Sequence, residues 1–137
     1  GVFSMNKISL HQAEVWSHQI LTKSQEIKKE NQDNFDSMLF IESKDVRNVL
    51  PIIVESLNTM HDGGPNEPST SRRYSNALSS LIRAARETYG DTENPIMSAI
   101  KEVGHEKVKS DAQRLNEIAA KVSVKKAELE SEISMTR

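Results

Sequence analysis

The fold of this chain is decided by its last third, residues 95–134, which read PIMSAIKEVGHEKVKSDAQRLNEIAAKVSVKKAELESEIS. Apolar side chains recur there at alternating steps of three and four residues, the spacing of one buried stripe along a long helix. The members of the stripe are Val108, Ala112, Leu115, Ala119, Val122, Leu129 and Ile133, with Ile118 beside it. About forty residues rising roughly 1.5 Å each give a helix of about 60 Å. The stretch therefore predicts either the spine of a bundle or a coiled-coil arm.

Three further helices are predicted before this one, which we call helix D. Helix A is predicted over residues 9–41, because Ser9 followed by Gln12 forms a capping-box pattern at its start. Helix B is predicted over residues 44–60, with a kink or a division into two helices at Pro51. The polar stretch 62–71, which holds two glycines and two prolines, predicts a linker.

Helix C is predicted over residues 72–89 and is followed by Gly90, a residue typical of the position just after a helix. Asn94 followed by Pro95 predicts the N-cap and first residue of helix D. Gly104 lies inside helix D, where it predicts a bend or a close approach of another helix.

These elements predict an all-α fold, an elongated antiparallel four-helix bundle with two long helices (A, D) and two shorter ones (B, C). Since A and D are the longer pair, the start of A is expected to meet the end of D as a two-helix stalk. Trp16 and Ile20 of helix A would then face the end of the helix D stripe, including Ile118 and Val122. Such a stalk would be marginal alone and would gain from self-association.

The composition fits one domain with a thin aliphatic core. The chain has 137 residues, of which 36% are hydrophobic and only 4% aromatic. Charged residues make up 28%, yet the net charge is −2, which argues against a general nucleic-acid binder. Because there is no cysteine, disulfides and thiolate sites are absent, and both the cytosol and secretion without disulfides are compatible with the sequence.

The two ends suggest a domain excised from a larger protein, spanning residues 1–137. The chain begins with Gly1 rather than with Met5, and it stops at Arg137 directly after a helical run. No apolar run is long enough to cross a bilayer, and the first residues lack the apolar core of a signal peptide.

Helix C carries the clearest charge segregation of the chain. Between Arg72 and Glu87 it holds four arginines and a single acidic residue, although the whole chain is net negative. At about 100° per residue, Arg72, Arg83 and Arg86 share one face, opposite the apolar stripe. Guanidinium groups on one face suit carboxylates or phosphates, and Lys44 and Arg47 are expected at the same end as Arg86. The alternative is a solvated face neutralised by acidic residues of neighbouring helices.

Sites for chemistry are scarce in this sequence. The pattern of His11, Glu14 and His18 puts three possible metal ligands on one side of helix A, but no further ligand is evident, so exposed polar residues are the favoured interpretation. No histidine stands in a pattern that would activate a serine, and no Gly-rich loop has nucleotide-binding spacing. We therefore predict no enzyme activity, no metal and no cofactor.

Three functions remain open at this point. The first is a non-enzymatic interaction module that docks an acidic partner or self-associates through its helical stripes. The second is a peripheral membrane-targeting domain of a secreted bacterial effector or toxin, in which the arginines meet anionic phospholipid headgroups. The third is a structural or chaperone-like coiled-coil protein of a secretion or phage assembly. The second and third rest on analogy between folds alone.

Overall fold

The computed structural model describes residues 8–60 and 68–135, apart from the side chains of residues 60, 68–70, 123 and 133–135. The described part contains helices and no strand, which confirms the predicted all-α class. The helices pack against one another as a bundle, but there are six of them rather than four. They are α1 (Leu10–Asn31), α2 (Asn34–Ile41), α3 (Lys44–Met60), α4 (Pro68–Tyr89), α5 (Pro95–Val103) and α6 (Glu106–Met135).

The predicted helix A is divided into α1 and α2, so its prediction as one helix is wrong. Gln32 adopts the left-handed conformation (φ 53°), and its N–H donates to the Lys28 carbonyl to close α1. Asp33 then caps α2, because its side chain accepts a hydrogen bond from the Phe35 N–H at 2.9 Å. The start of α1 is as predicted, since the Ser9 hydroxyl accepts from the Gln12 N–H at 3.0 Å.

The predicted helix D is also divided, and Gly104 is the reason. Gly104 has a φ of 81°, a conformation that glycine adopts without strain, and its N–H bonds the Ile100 carbonyl at the end of α5. It therefore ends a helix instead of bending one. The predicted N-cap is confirmed, because the Asn94 side chain accepts from the Met97 N–H at 3.0 Å. Gly90, with a φ of 67°, follows α4 as predicted.

The two middle helices differ from prediction at one point each. Helix α3 has the predicted bounds and continues through Pro51, so the division expected there does not occur. Pro51 lies on the exposed side, where the backbone carbonyl that loses its partner can meet water. Helix α4 begins at Pro68, four residues before the predicted start, and takes over the end of the predicted linker. Residues 62–67 of that linker lie outside the described residues.

The core lies between α1, the end of α2, α3, α4, α5 and the start of α6, and it is mainly aliphatic. Its largest fully buried side chains include Ile41, Leu50, Ile53, Leu57, Leu78, Leu81, Ile82, Ile96 and Ile100. The neighbour that α1 contacts most is α4. Small buried side chains on α1 (Ala13, Ser17 and Ser24) and on α4 (Ala77 and Ala84) permit that close approach.

The predicted stalk between the start of helix A and the end of helix D does not form. Ile20 is buried within the core cluster, and Trp16 packs against that cluster. Ile118 and Val122 of α6 are 51% and 61% exposed. Helix α6 therefore leaves the bundle with its second half uncovered.

Candidate functional site

The arginine face (Arg72, Arg83 and Arg86) lies on α4 as predicted, but acidic residues accompany most of it. Arg83 Nη2 donates to Glu87 Oε2 at 3.1 Å, and Arg86 Nη1 bonds the Asp91 carboxylate. The Arg86 side chain is only 13% exposed, so the prediction that it points away from the core is wrong. An anionic ligand at this face would have to displace two carboxylates.

A second polar cluster joins the start of α1 to the start of α4. Glu14 accepts through one oxygen from Arg73 Nη1 at 3.1 Å and through the other from Asn76 Nδ2 at 2.7 Å. The His11 ring nitrogen Nδ1 also contacts Arg73. Both carboxylate oxygens of Glu14 are therefore engaged in linking two helices. Within the described residues, no three His, Asp or Glu side chains are grouped so that they could hold a metal ion.

A groove of about 610 Å³ runs between α1 and α4. It extends from Glu14 and Asn76 of the polar cluster to Arg83 of the arginine face. Its lining includes His18, Ser79, Ser80 and Arg83, over a floor that contains Leu21. Toward the other end of the groove, Gln25 donates to the Glu87 carboxylate at 2.9 Å and Lys28 donates to the Glu87 carbonyl at 3.0 Å. These bonds hold α1 and α4 parallel, in the same register as the contacts of Glu14.

The end of the bundle that carries Lys44 and Arg47 is less basic than predicted. Both side chains are exposed, and Arg47 lies near Tyr89, whose hydroxyl donates to Glu42 Oε2 at 3.0 Å. A depression beside Arg47 is also lined by Glu42, Glu93 and Glu102. The sequence did not bring these acids together, because Glu42 follows predicted helix A whereas Glu102 lies in predicted helix D.

The first half of α6 is held on α4 by a buried phenol. The Tyr74 hydroxyl donates to Asp111 Oδ2 at 3.1 Å, and Tyr74 itself is only 7% exposed. Burial, with a smaller contribution from the Asp111 charge, raises the pKa of Tyr74 well above its usual range. Arg114 balances the Asp111 carboxylate from outside, with Nη2 at 3.4 Å.

The second half of α6 is the largest uncovered element of the described chain. From Lys121 to Glu132, every residue whose side chain is described is exposed. We call residues 121–135 the arm. Large apolar side chains are exposed on the arm and at its base: Ile118, Val122, Val124 and Leu129.

The charges of the arm are sorted by sign along its length. Lys121, Lys125 and Lys126 come first, and Glu128, Glu130 and Glu132 follow. The sequence analysis assigned no role to these charges and missed the sorting. The signal was visible in the order of residues, but its importance depends on the exposure of the helix, which the sequence did not predict.

A smaller apolar patch lies on α2. Phe35 and Leu39, one helical turn apart, are 59% and 54% exposed. Asp33, Asp36 and Glu42 surround them along the chain, with Lys44 just beyond.

Comparison with known proteins gives no relative to reason from: no family model matches the chain, and no curated protein and no solved structure matches it either. None of the helices in residues 8–60 and 68–135 combines the length and the apolar character needed to cross a membrane.

Proposed function

We propose that this chain is a non-enzymatic helical interaction module, in which the bundle holds α6 and the arm binds a protein partner. The observation that carries this proposal is that every described side chain between residues 121 and 132 is exposed, on a helix that continues directly from the core. Exposed aliphatic side chains in a row on one helix are typical of surfaces that dock another helix.

Most of the arginine face is paired with acids of the same molecule, whereas the arm is uncovered, and this difference favours the arm as the binding surface. Two of the three members of the arginine face, Arg83 and Arg86, each have a carboxylate within the same molecule, so an external anion would have to compete with those carboxylates. Arm residues such as Val122 and Leu129 contribute nothing to the core, because each is more than half exposed. A partner would gain the free energy of burying them.

Site-specific photo-crosslinking in the producing cells tests this proposal. A photoreactive residue in place of Leu129 is expected to form a covalent adduct with a protein. The matched control is the same residue in place of Lys101, an exposed position of α5 on the bundle. The proposal is overturned if Leu129 gives no adduct, or if both positions give adducts equally.

Peripheral membrane binding is the second candidate, and the exposed pair Phe35 and Leu39 is the observation that favours it. These side chains could enter the headgroup region while Lys44 contacts anionic lipid. Co-sedimentation with anionic vesicles at low salt should then occur, and Phe35→Ser should abolish it. If the wild-type chain fails to sediment under those conditions, this candidate is excluded.

A further inference from the structure

We propose that the partner of the arm is a second copy of this chain, and that the two arms pair antiparallel, with the lysine end of each against the glutamate end of the other. This inference rests on the proposed function, since it names the occupant of the same surface. It follows from the position of the apolar side chains and from the order of the charges along the arm. That order is complementary to itself when two arms are related by a two-fold axis.

The apolar side chains form one stripe that fits a partner helix. At about 100° per residue, Ile118, Val122 and Leu129 lie within an arc of about 40°. All three are more than half exposed. Val124 is equally exposed but lies on the far side of the helix, so it takes no part in the stripe.

The sorted charges select a second copy in one orientation. A parallel pair of arms would set lysine against lysine and glutamate against glutamate, which is unfavourable. An antiparallel pair sets the +3 half of residues 121–126 against the −3 half of residues 128–132, and the same match occurs twice because of the two-fold axis.

Individual pairs can be assigned from the helical positions. Lys125 and Glu132 both flank the stripe on one side, and Lys126 and Glu130 both lie on the other side. If the two arms cross near residue 128, Lys125 of one copy faces Glu132 of the other, and Lys126 faces Glu130. Each pair is formed twice, so this one register gives four ion pairs between the copies.

The pairing should be weak and sensitive to salt. Two arms with less than about 20 residues each bury less than the roughly 1,200 Å² of a standard interface. Their ion pairs are exposed, so screening reduces them as the Debye length falls from about 10 Å at 0.1 M salt to about 3 Å at 1 M.

Analytical ultracentrifugation of the purified full chain tests the pairing. The wild-type chain should show a concentration-dependent dimer at low salt. Val122→Gln should shift the dimer dissociation constant at least about tenfold, which corresponds to about 1.4 kcal/mol. Val124→Gln is the matched control, because it makes the same change at the same exposure on the opposite face, and it should leave dimerisation unchanged. The proposal is overturned if the wild-type chain stays monomeric up to about 1 mM, or if both variants act alike.

Charge reversal tests the orientation. A chain with Lys125→Glu and Lys126→Glu carries only acidic charges over residues 125–132, and a chain with Glu130→Lys and Glu132→Lys keeps Glu128 alone among basic residues there. Each should be monomeric alone, and an equimolar mixture should form a heterodimer. If the acidic variant dimerises as well as the wild type, or if the mixture stays monomeric, the antiparallel pairing is wrong. Circular dichroism of each variant checks that the bundle remains folded.

The crosslink at Leu129 separates this inference from the function on which it rests. An adduct of twice the mass of the chain supports both. An adduct with a different protein supports the interaction module and overturns the pairing of two copies.

Discussion

The two halves of α6 carry the same spacing of apolar residues, but only the first half is covered. Val108 and Ala112 are fully buried, whereas Val122 and Leu129 are 61% and 52% exposed. Helices α3, α4 and α5 pack on α6. The described side chains of α6 from Lys121 to Glu132 are nevertheless exposed. Periodicity thus reports that one face of a helix is apolar, but it does not report whether the partner of that face belongs to the same molecule.

The sharpest test of this comparison places one substitution at two equivalent positions. Val108 and Val122 lie on the same stripe, two heptads apart. Val108→Asp puts an unpaired charge into the core and should lower the free energy of unfolding by about 3–5 kcal/mol. Val122→Asp should change it by less than about 0.5 kcal/mol. Urea unfolding at high dilution, where no dimer contributes, measures both values. Equal losses would mean that the second half of α6 is covered within one chain.

A smaller effect comes from the buried phenol that holds the first half of α6. Because the native pKa of Tyr74 is raised, the native state keeps its proton above pH 10, where the unfolded chain loses it. The contribution of Tyr74 is therefore complete below about pH 10 and declines above it, by up to about 1.4 kcal/mol per pH unit. Unfolding measured from pH 8 to 11 should show a steeper alkaline loss for the wild type than for Tyr74→Phe. Parallel curves would show that the phenol ionises freely in the folded protein.

The left-handed conformation of Gly104, which ends α5 before α6, is expected to have a modest effect on the free energy of unfolding. Gly104→Ala forces a side chain into the left-handed region, with no crowding nearby, and should cost about 1 kcal/mol. Gly90→Ala is a matched control, because Gly90 has a similar φ and an equally open surrounding, and it should cost the same. A loss at Gly90 without one at Gly104 would mean that α5 and α6 can merge into the single helix that the sequence predicts.

Local signals in the sequence predicted the helical class and several helix ends. Ser9, Gly90 and Asn94 act through hydrogen bonds or conformations confined to a few residues, so a short window of sequence contains the whole cause. The breaks at Gln32 and Gly104 were missed, because neither residue is obliged to leave the helix. Gln32 is a good helix former, and its left-handed conformation is favoured only once Asp33 caps the next helix.

Contacts between distant residues limited the prediction of the candidate site. Arg72 and Arg83 are exposed on α4 as predicted, but Arg86 is largely covered, and the acid that pairs with Arg73, Glu14, comes from 59 residues away. Whether a guanidinium is free or paired depends on that packing. The same limit applied to the arm, whose charges were readable but whose exposure was not.

The smallest effect is expected from removal of the arm, which should change neither the fluorescence of Trp16 nor the stability of the bundle. The sequence predicts that Trp16 faces the end of helix D, and in that case truncation at about Lys121 would expose the indole and shift its fluorescence to the red. In the structure Trp16 packs against the core cluster instead. A chain ending at Ala120 should therefore keep the wild-type emission maximum and unfold within about 0.5 kcal/mol of the wild type. The chain unfolded in urea supplies the reference spectrum of an exposed indole. A shift toward that reference in the truncated chain would show that the arm folds back on α1, which would also remove the surface from which dimerisation is inferred.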